Sequence, residues 1–242
     1  MATPFFGEFM GTLVLILLGN GVVANVLLRR SKAEGAGWMV ITTGWGLAVT
    51  IGVFTAQACG SAGANINPAV TLGVAIVSGD YSNVAPFLLA QLLGAMAGAF
   101  LVWLHFLPHW RVTEDPDAKL ACFATSPAIR APLNNLISEL IGAFVLVLGA
   151  AAIFSKTVAP AGLAPGLGPY LVGMLVWSIG LSLGGTTGYA INPARDFGPR
   201  LAHAILPLGN KGGSDWAYAF VPIVGPFAGA AVAGAIARMI HL

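Results

Sequence analysis

The chain has 242 residues, 57% of them hydrophobic and only 8% charged. An ordinary soluble domain carries about 25% charged residues. No Asp, Glu, Lys or Arg occurs from Gly35 to Gly79, from Tyr81 to Trp110, or from Thr157 to Ala194. These facts exclude a soluble enzyme, a nucleic-acid binder and a disordered chain. They leave a polytopic helical membrane protein, because barrel strands alternate apolar and polar residues and these runs are continuous. The net charge of +2 is too small to point to an anionic partner.

Six apolar segments approach the roughly 20 residues a membrane helix needs. The first, Phe5–Leu28, lacks a basic leader and contains Glu8, so it reads as a retained span. Trp38–Ala58 is the second. A shorter apolar piece, Pro68–Val77, follows, and then the third span, Val84–Leu107. The stretch Pro108–Pro132 is the most polar and reads as a loop outside the bilayer. Leu133–Phe154 and Tyr170–Gly184 are the fourth and fifth spans, Pro193–Leu206 is a second short piece, and Ala217–Ile240 is the sixth span. Each short piece begins with Asn-Pro. Asparagine is a good N-cap, and proline suits the first helical position, where its missing N–H costs nothing. Both pieces therefore read as half-helices with abrupt starts.

The chain repeats itself. Gly7-Glu8-Phe9-Met10-Gly11 resembles Ser138-Glu139-Leu140-Ile141-Gly142, and Gly60 through Ala69 resembles Gly185 through Ala194. Each half holds three spans and one half-helix. Three is odd, so the second half enters the membrane from the opposite side, as in inverted-repeat transport proteins. The expectation is one membrane domain over residues 1–242, with inverted halves of about 1–107 and 133–242 joined by a loop at 108–132. Both half-helix N-termini would then meet at mid-membrane, where irregular backbone survives only beside a watery cavity. The predicted fold is an all-α membrane protein with six transmembrane helices and two re-entrant half-helices around a central pore.

Asn67-Pro68-Ala69 and Asn192-Pro193-Ala194, set in matching halves with Glu8 and Glu139, resemble the aquaporin (major intrinsic protein) family over essentially the whole chain. Asp196 directly after Arg195 is similar to the glycerol-facilitator branch. The resemblance implies a selectivity filter of Trp45, Gly180, Tyr189 and Arg195. Trp45 and Tyr189 would form an apolar corner for CH groups, Arg195 would donate to hydroxyls, and Gly180 would leave space. The two asparagines would cap the half-helices and offer their amides to the solute. Glu8, Glu139 and Asp196 would brace the re-entrant loops. Two departures from the family pattern stand out. Asn65 occupies a position where histidine is usual, and the first re-entrant loop is about two residues longer than usual.

The resemblance implies a passive channel for glycerol, water and other small neutral solutes that excludes protons and ions, with a mainly water-selective aquaporin as the alternative. It also implies a homotetramer in a lipid bilayer, a bacterial inner-membrane location, and termini in the cytoplasm. The loop charges Arg29, Arg30 and Lys32 would then lie outside, against the usual bias of positive charge toward the inside. The sequence shows no cofactor motif, metal site or nucleophile–base pair, which argues against an enzyme. The few intramembrane charges argue against ion coupling. Cys59 and Cys122 read as free thiols, His203 as a packing residue, and Gln91 as a neighbour of the first re-entrant loop.

Overall fold

The computed structural model describes residues 2–242. Its helices run in order α1 (Pro4–Leu27), α2 (Trp38–Ala58), α3 (Pro68–Ser78), α4 (Val84–His105), α5 (Leu107–Val112), α6 (Pro116–Ala121), α7 (Pro132–Phe154), α8 (Leu167–Leu183), α9 (Pro193–Ile205) and α10 (Val221–Met239). Five of them, α1, α2, α4, α7 and α10, are long and apolar enough to cross a membrane. The 17-residue α8 is shorter and holds the sixth place, packed against α2 and α7. At 1.5 Å per residue it reaches about 25 Å, a little less than the hydrocarbon layer.

The packing follows the repeat. In the first half α1 packs on α2 and α4, and in the second half α7 packs on α8 and α10. The half-helices are exchanged, with α3 against α10 and α9 against α4. Glycines permit these contacts. A Cβ on Gly98 would lie 2.5 Å from the Leu13 carbonyl oxygen, and one on Gly229 would lie 2.1 Å from that of Leu140. Membrane helices have little hydrophobic drive to associate, so close backbone approach of this kind holds them together. The outward faces carry exposed Leu47, Ile51, Leu89, Phe100, Ile141 and Val232, as a lipid-facing surface requires.

Local signals set the boundaries, and some differ from expectation. The fifth span begins at Leu167 instead of Tyr170, directly after Gly166 in the left-handed region (φ 81°). The sixth begins at Val221 instead of Ala217, next to Pro222, and residues 217–220 form a turn. The linker, expected as a loop, contains α5 and α6. Asp115 caps α6 by accepting from Asp117 N at 2.9 Å, with Pro116 at the first helical position.

Candidate functional site

Both re-entrant loops are built around a buried carboxylate. Glu8 accepts from Asn65 N (2.8 Å) and Ile66 N (2.7 Å), and also from Ser61 Oγ (2.6 Å). Glu139 accepts from Ala190 N (2.8 Å) and Ile191 N (2.7 Å), and also from Thr187 Oγ1 (2.6 Å). These loops need such support. Ala64, Ile66, Tyr189 and Ile191 have φ of 43°, 45°, 39° and 44°, a region that costs a residue with a side chain roughly 1–2 kcal/mol. Charge-assisted hydrogen bonds are strong enough to offset that strain. Repeat spacing alone pairs Ser61 with Thr186, whereas the structure uses Thr187. The first loop is one residue longer between its hydroxyl and its amides.

Each Asn-Pro-Ala asparagine has two duties. Asn67 Oδ1 caps α3 by accepting from Ala69 N at 2.8 Å, and Asn192 Oδ1 caps α9 by accepting from Ala194 N at 3.0 Å. The amides cross over. Asn67 Nδ2 donates to Ile191 O and Asn192 Nδ2 to Ile66 O, both at 2.9 Å. Sequence reasoning aims the whole amide at the solute. The structure commits one of its two N–H bonds to the opposite loop. Two positive helix ends thereby meet at one point.

Trp45, Gly180, Tyr189 and Arg195 converge toward one end of the site. The Arg195 guanidinium carbon lies 4.2 Å from the centre of the Trp45 ring. Trp45 fits because Gly19 faces it, where a Cβ would come within 2.2 Å of the ring. Gly180 acts differently from expectation. A Cβ there would lie 2.7 Å from Tyr189 Cζ, so the glycine makes room for the tyrosine ring and does not open directly on the lumen. Sequence reasoning misses Trp38. It donates from Nε1 to Gly180 O at 3.1 Å and meets the Tyr189 ring edge-on at 5.8 Å between centres. Trp45 Nε1, Tyr189 Oη and Arg195 Nη1 are buried without a partner among the described residues. Buried polar groups are normally satisfied. Among the described residues these three atoms are unsatisfied, and they lie close together beside Arg195 and the Tyr189 ring.

Asp196 turns away from Arg195. It accepts from Thr125 N (2.7 Å) and Thr125 Oγ1 (2.6 Å), and it pairs with Arg200 at 2.7 Å, both side chains being fully buried. Asp196 and Arg200 are spaced i,i+4 on α9, a readable signal for this pair. Lys211 donates to the carbonyls of His203 (2.6 Å), Ala204 (2.8 Å) and Leu206 (2.6 Å), closing the C-terminal end of α9. His203 packs on Phe123, with ring centres 5.5 Å apart, and contacts Ser214 Oγ at 2.9 Å. Gln91 donates to Glu8 (2.7 Å) and to Thr71 Oγ1 (2.9 Å).

A cavity of about 380 Å³ joins these parts, from Trp45, Tyr189 and Arg195 past Asn67 and Asn192 to Gln57 and Ser78. Trp45, Val49, Val53 and Gln57 line it at every fourth residue of α2, a single helical stripe about 18 Å long at 1.5 Å per residue. Most of its wall is valine, leucine and alanine. Polar groups cluster at the asparagine pair and the two ends.

A membrane-embedded inverted helical repeat around such a cavity defines a channel-type transport protein. The chain belongs to the major intrinsic protein family, whose pattern matches residues 2–237. It is 57% identical over 226 residues to a probable glycerol uptake facilitator of Thermotoga maritima, covering 93% of this chain and 94% of that one. It is 54% identical over 233 residues to glycerol uptake facilitator protein 3 of Lactiplantibacillus plantarum, covering 96% and 94%. The fold matches the X-ray structure of the aquaglyceroporin from Plasmodium falciparum with a TM-score of 0.83 at 28% identity, covering 98% of this chain and 95% of that one. The protein is thus a multi-pass membrane channel with the aquaporin fold, and not an enzyme.

Proposed function

We propose that this protein is a passive channel for glycerol that also conducts water and excludes protons and ions. The glycerol-facilitator relatives support the solute class. The observation that carries the reading is the trio of unpartnered polar atoms, Trp45 Nε1, Tyr189 Oη and Arg195 Nη1, beside two aromatic faces. Glycerol has hydroxyls along one edge and carbon along the other, and these residues supply polar donors together with aromatic faces. The selectivity filter is accordingly Trp45, Tyr189 and Arg195, with Gly180 giving the Tyr189 ring its room. Glu8 and Glu139 hold the loops that present the Asn67 and Asn192 amides. Arg195 and the two helix N-termini repel cations at the narrow part of the path. The whole chain, 1–242, works as one pore unit, assembled as a homotetramer with cytoplasmic termini in a bacterial inner membrane.

Stopped-flow light scattering on proteoliposomes tests this reading, with a sucrose gradient for water and a glycerol gradient for the solute. Glycerol entry well above that of empty vesicles is expected. Water flux without glycerol flux would replace the reading with a water-selective channel.

A further inference from the structure

Asn65 stands where the family pattern usually has histidine, and its surroundings fix which way its amide points. Thr71 Oγ1 has one hydrogen to give and two lone pairs to accept with. It donates to Asn67 O at 3.0 Å. Its lone pairs then face Gln91 Nε2 at 2.9 Å and Asn65 Nδ2 at 3.2 Å. The Gln91 amide is fixed independently, because the same nitrogen also meets the Glu8 carboxylate, an acceptor, at 2.7 Å. With its hydrogen on Asn67 O, Thr71 offers Asn65 a lone pair, and Asn65 turns its N–H₂ to Thr71. Its Oδ1 then points away from the threonine. Asn65 lines the central cavity together with Gly63 and Gln57, beyond Asn67 from Arg195. Among the described residues no group donates to Asn65 Oδ1.

We propose that Asn65 Oδ1 is a hydroxyl-accepting subsite of the pore, held in that orientation by the Glu8–Gln91–Thr71 chain. It takes a neutral polyol carrying a free hydroxyl donor. The filter end and the asparagine pair supply donors, so a solute passing them presents its oxygens as acceptors. At Asn65 the relation reverses, and a hydroxyl of the solute donates. A polyol can satisfy both, one hydroxyl after another along the path. Thr71 and Gln91 are positioning residues: they touch no solute and act through the Asn65 amide. The second half has a carboxylate and a hydroxyl around Glu139, but among the described residues no side-chain amide bonds to it there. The device belongs to one half of the repeat.

This inference rests on the glycerol reading above, and its test separates the two. Glycerol and water permeabilities are measured on proteoliposomes of the parent, Asn65→Leu, Thr71→Val and Thr71→Ser proteins, and each variant is scored by its glycerol-to-water ratio. Asn65→Leu is expected to lower the ratio about five-fold, the equivalent of one neutral hydrogen bond. Thr71→Val frees the amide to rotate and is expected to lower the ratio about two-fold, since one of two orientations is lost. Thr71→Ser keeps the hydroxyl and restores the parent ratio. Should Asn65→Leu not assemble, the Thr71 pair decides alone. A ratio in Thr71→Val that matches the parent, or a Thr71→Ser protein as impaired as Thr71→Val, overturns the subsite. A parent protein that conducts water and no glycerol overturns the glycerol reading and the subsite with it.

Discussion

Arg195 and Arg200 lie on the same half-helix, both buried, and they are used in opposite ways. Arg200 spends all five of its N–H donors. Nε and Nη2 grip the Asp196 carboxylate at 2.7 and 2.9 Å, Nη2 also reaches Thr125 O at 2.9 Å, and Nη1 reaches Ser214 O at 2.8 Å and Asp215 O at 3.1 Å. Arg195 has an Nη1 with no protein partner and a guanidinium stacked on Trp45. One cation is fully occupied by the fold. The other keeps an Nη1 that no described residue pairs with.

Breaking the Arg200 network should have the largest effect on the fold. Arg200→Leu leaves Asp196 as an unpaired buried charge, which costs about 3–5 kcal/mol. Thermal unfolding in detergent should show the loss of folded protein. Arg200→Lys should recover little, because an ammonium cannot reproduce the planar fork. Next comes Glu139→Gln. An amide has one acceptor oxygen where the carboxylate has two, so one backbone N–H of the second loop loses its partner. The cost of a hydrogen bond to a charged group is about 1.5–3 kcal/mol. The same variant should depress water and glycerol flux together, since the loop carries both paths.

Arg195→Leu should behave in the reverse manner to Arg200→Leu. It forfeits a cation–π contact of about 2 kcal/mol but also removes the cost of keeping a cation buried, so the thermal midpoint moves little. Proton leak in pH-jump assays on vesicles should rise by about an order of magnitude, which is a barrier change of only about 1.4 kcal/mol. Tyr189→Phe should matter least. The ring still fills the space over Gly180, and one unpartnered hydroxyl is removed. Glycerol flux should change by about two-fold or less, well inside the value of one hydrogen bond.

The parts of this design that are local in sequence were legible there. Asn-Pro starts announced α3 and α9, and the repeated Glu8 and Glu139 announced two braced loops. The rest depended on segments far apart in the chain. Gly180 reads as empty space until the Tyr189 ring is seen lying over it. The partners of Arg200 come from the linker (Thr125), its own helix (Asp196) and the loop before α10 (Ser214, Asp215), so only the i,i+4 spacing to Asp196 was visible. Helix α6 is an instructive miss. Its Asp115-Pro116 start carries the same cap-and-proline signal as α3 and α9, but the polar composition of the linker hid it.

The contrast between the two arginines is tested most directly by a high-resolution structure of the protein with glycerol in its pore. A glycerol oxygen within hydrogen-bonding distance of Arg195 Nη1, its carbons against Trp45 and Tyr189, and an unchanged Arg200–Asp196 pair is the predicted result. A guanidinium of Arg195 turned onto backbone carbonyls, with glycerol making no contact to it, would contradict the account.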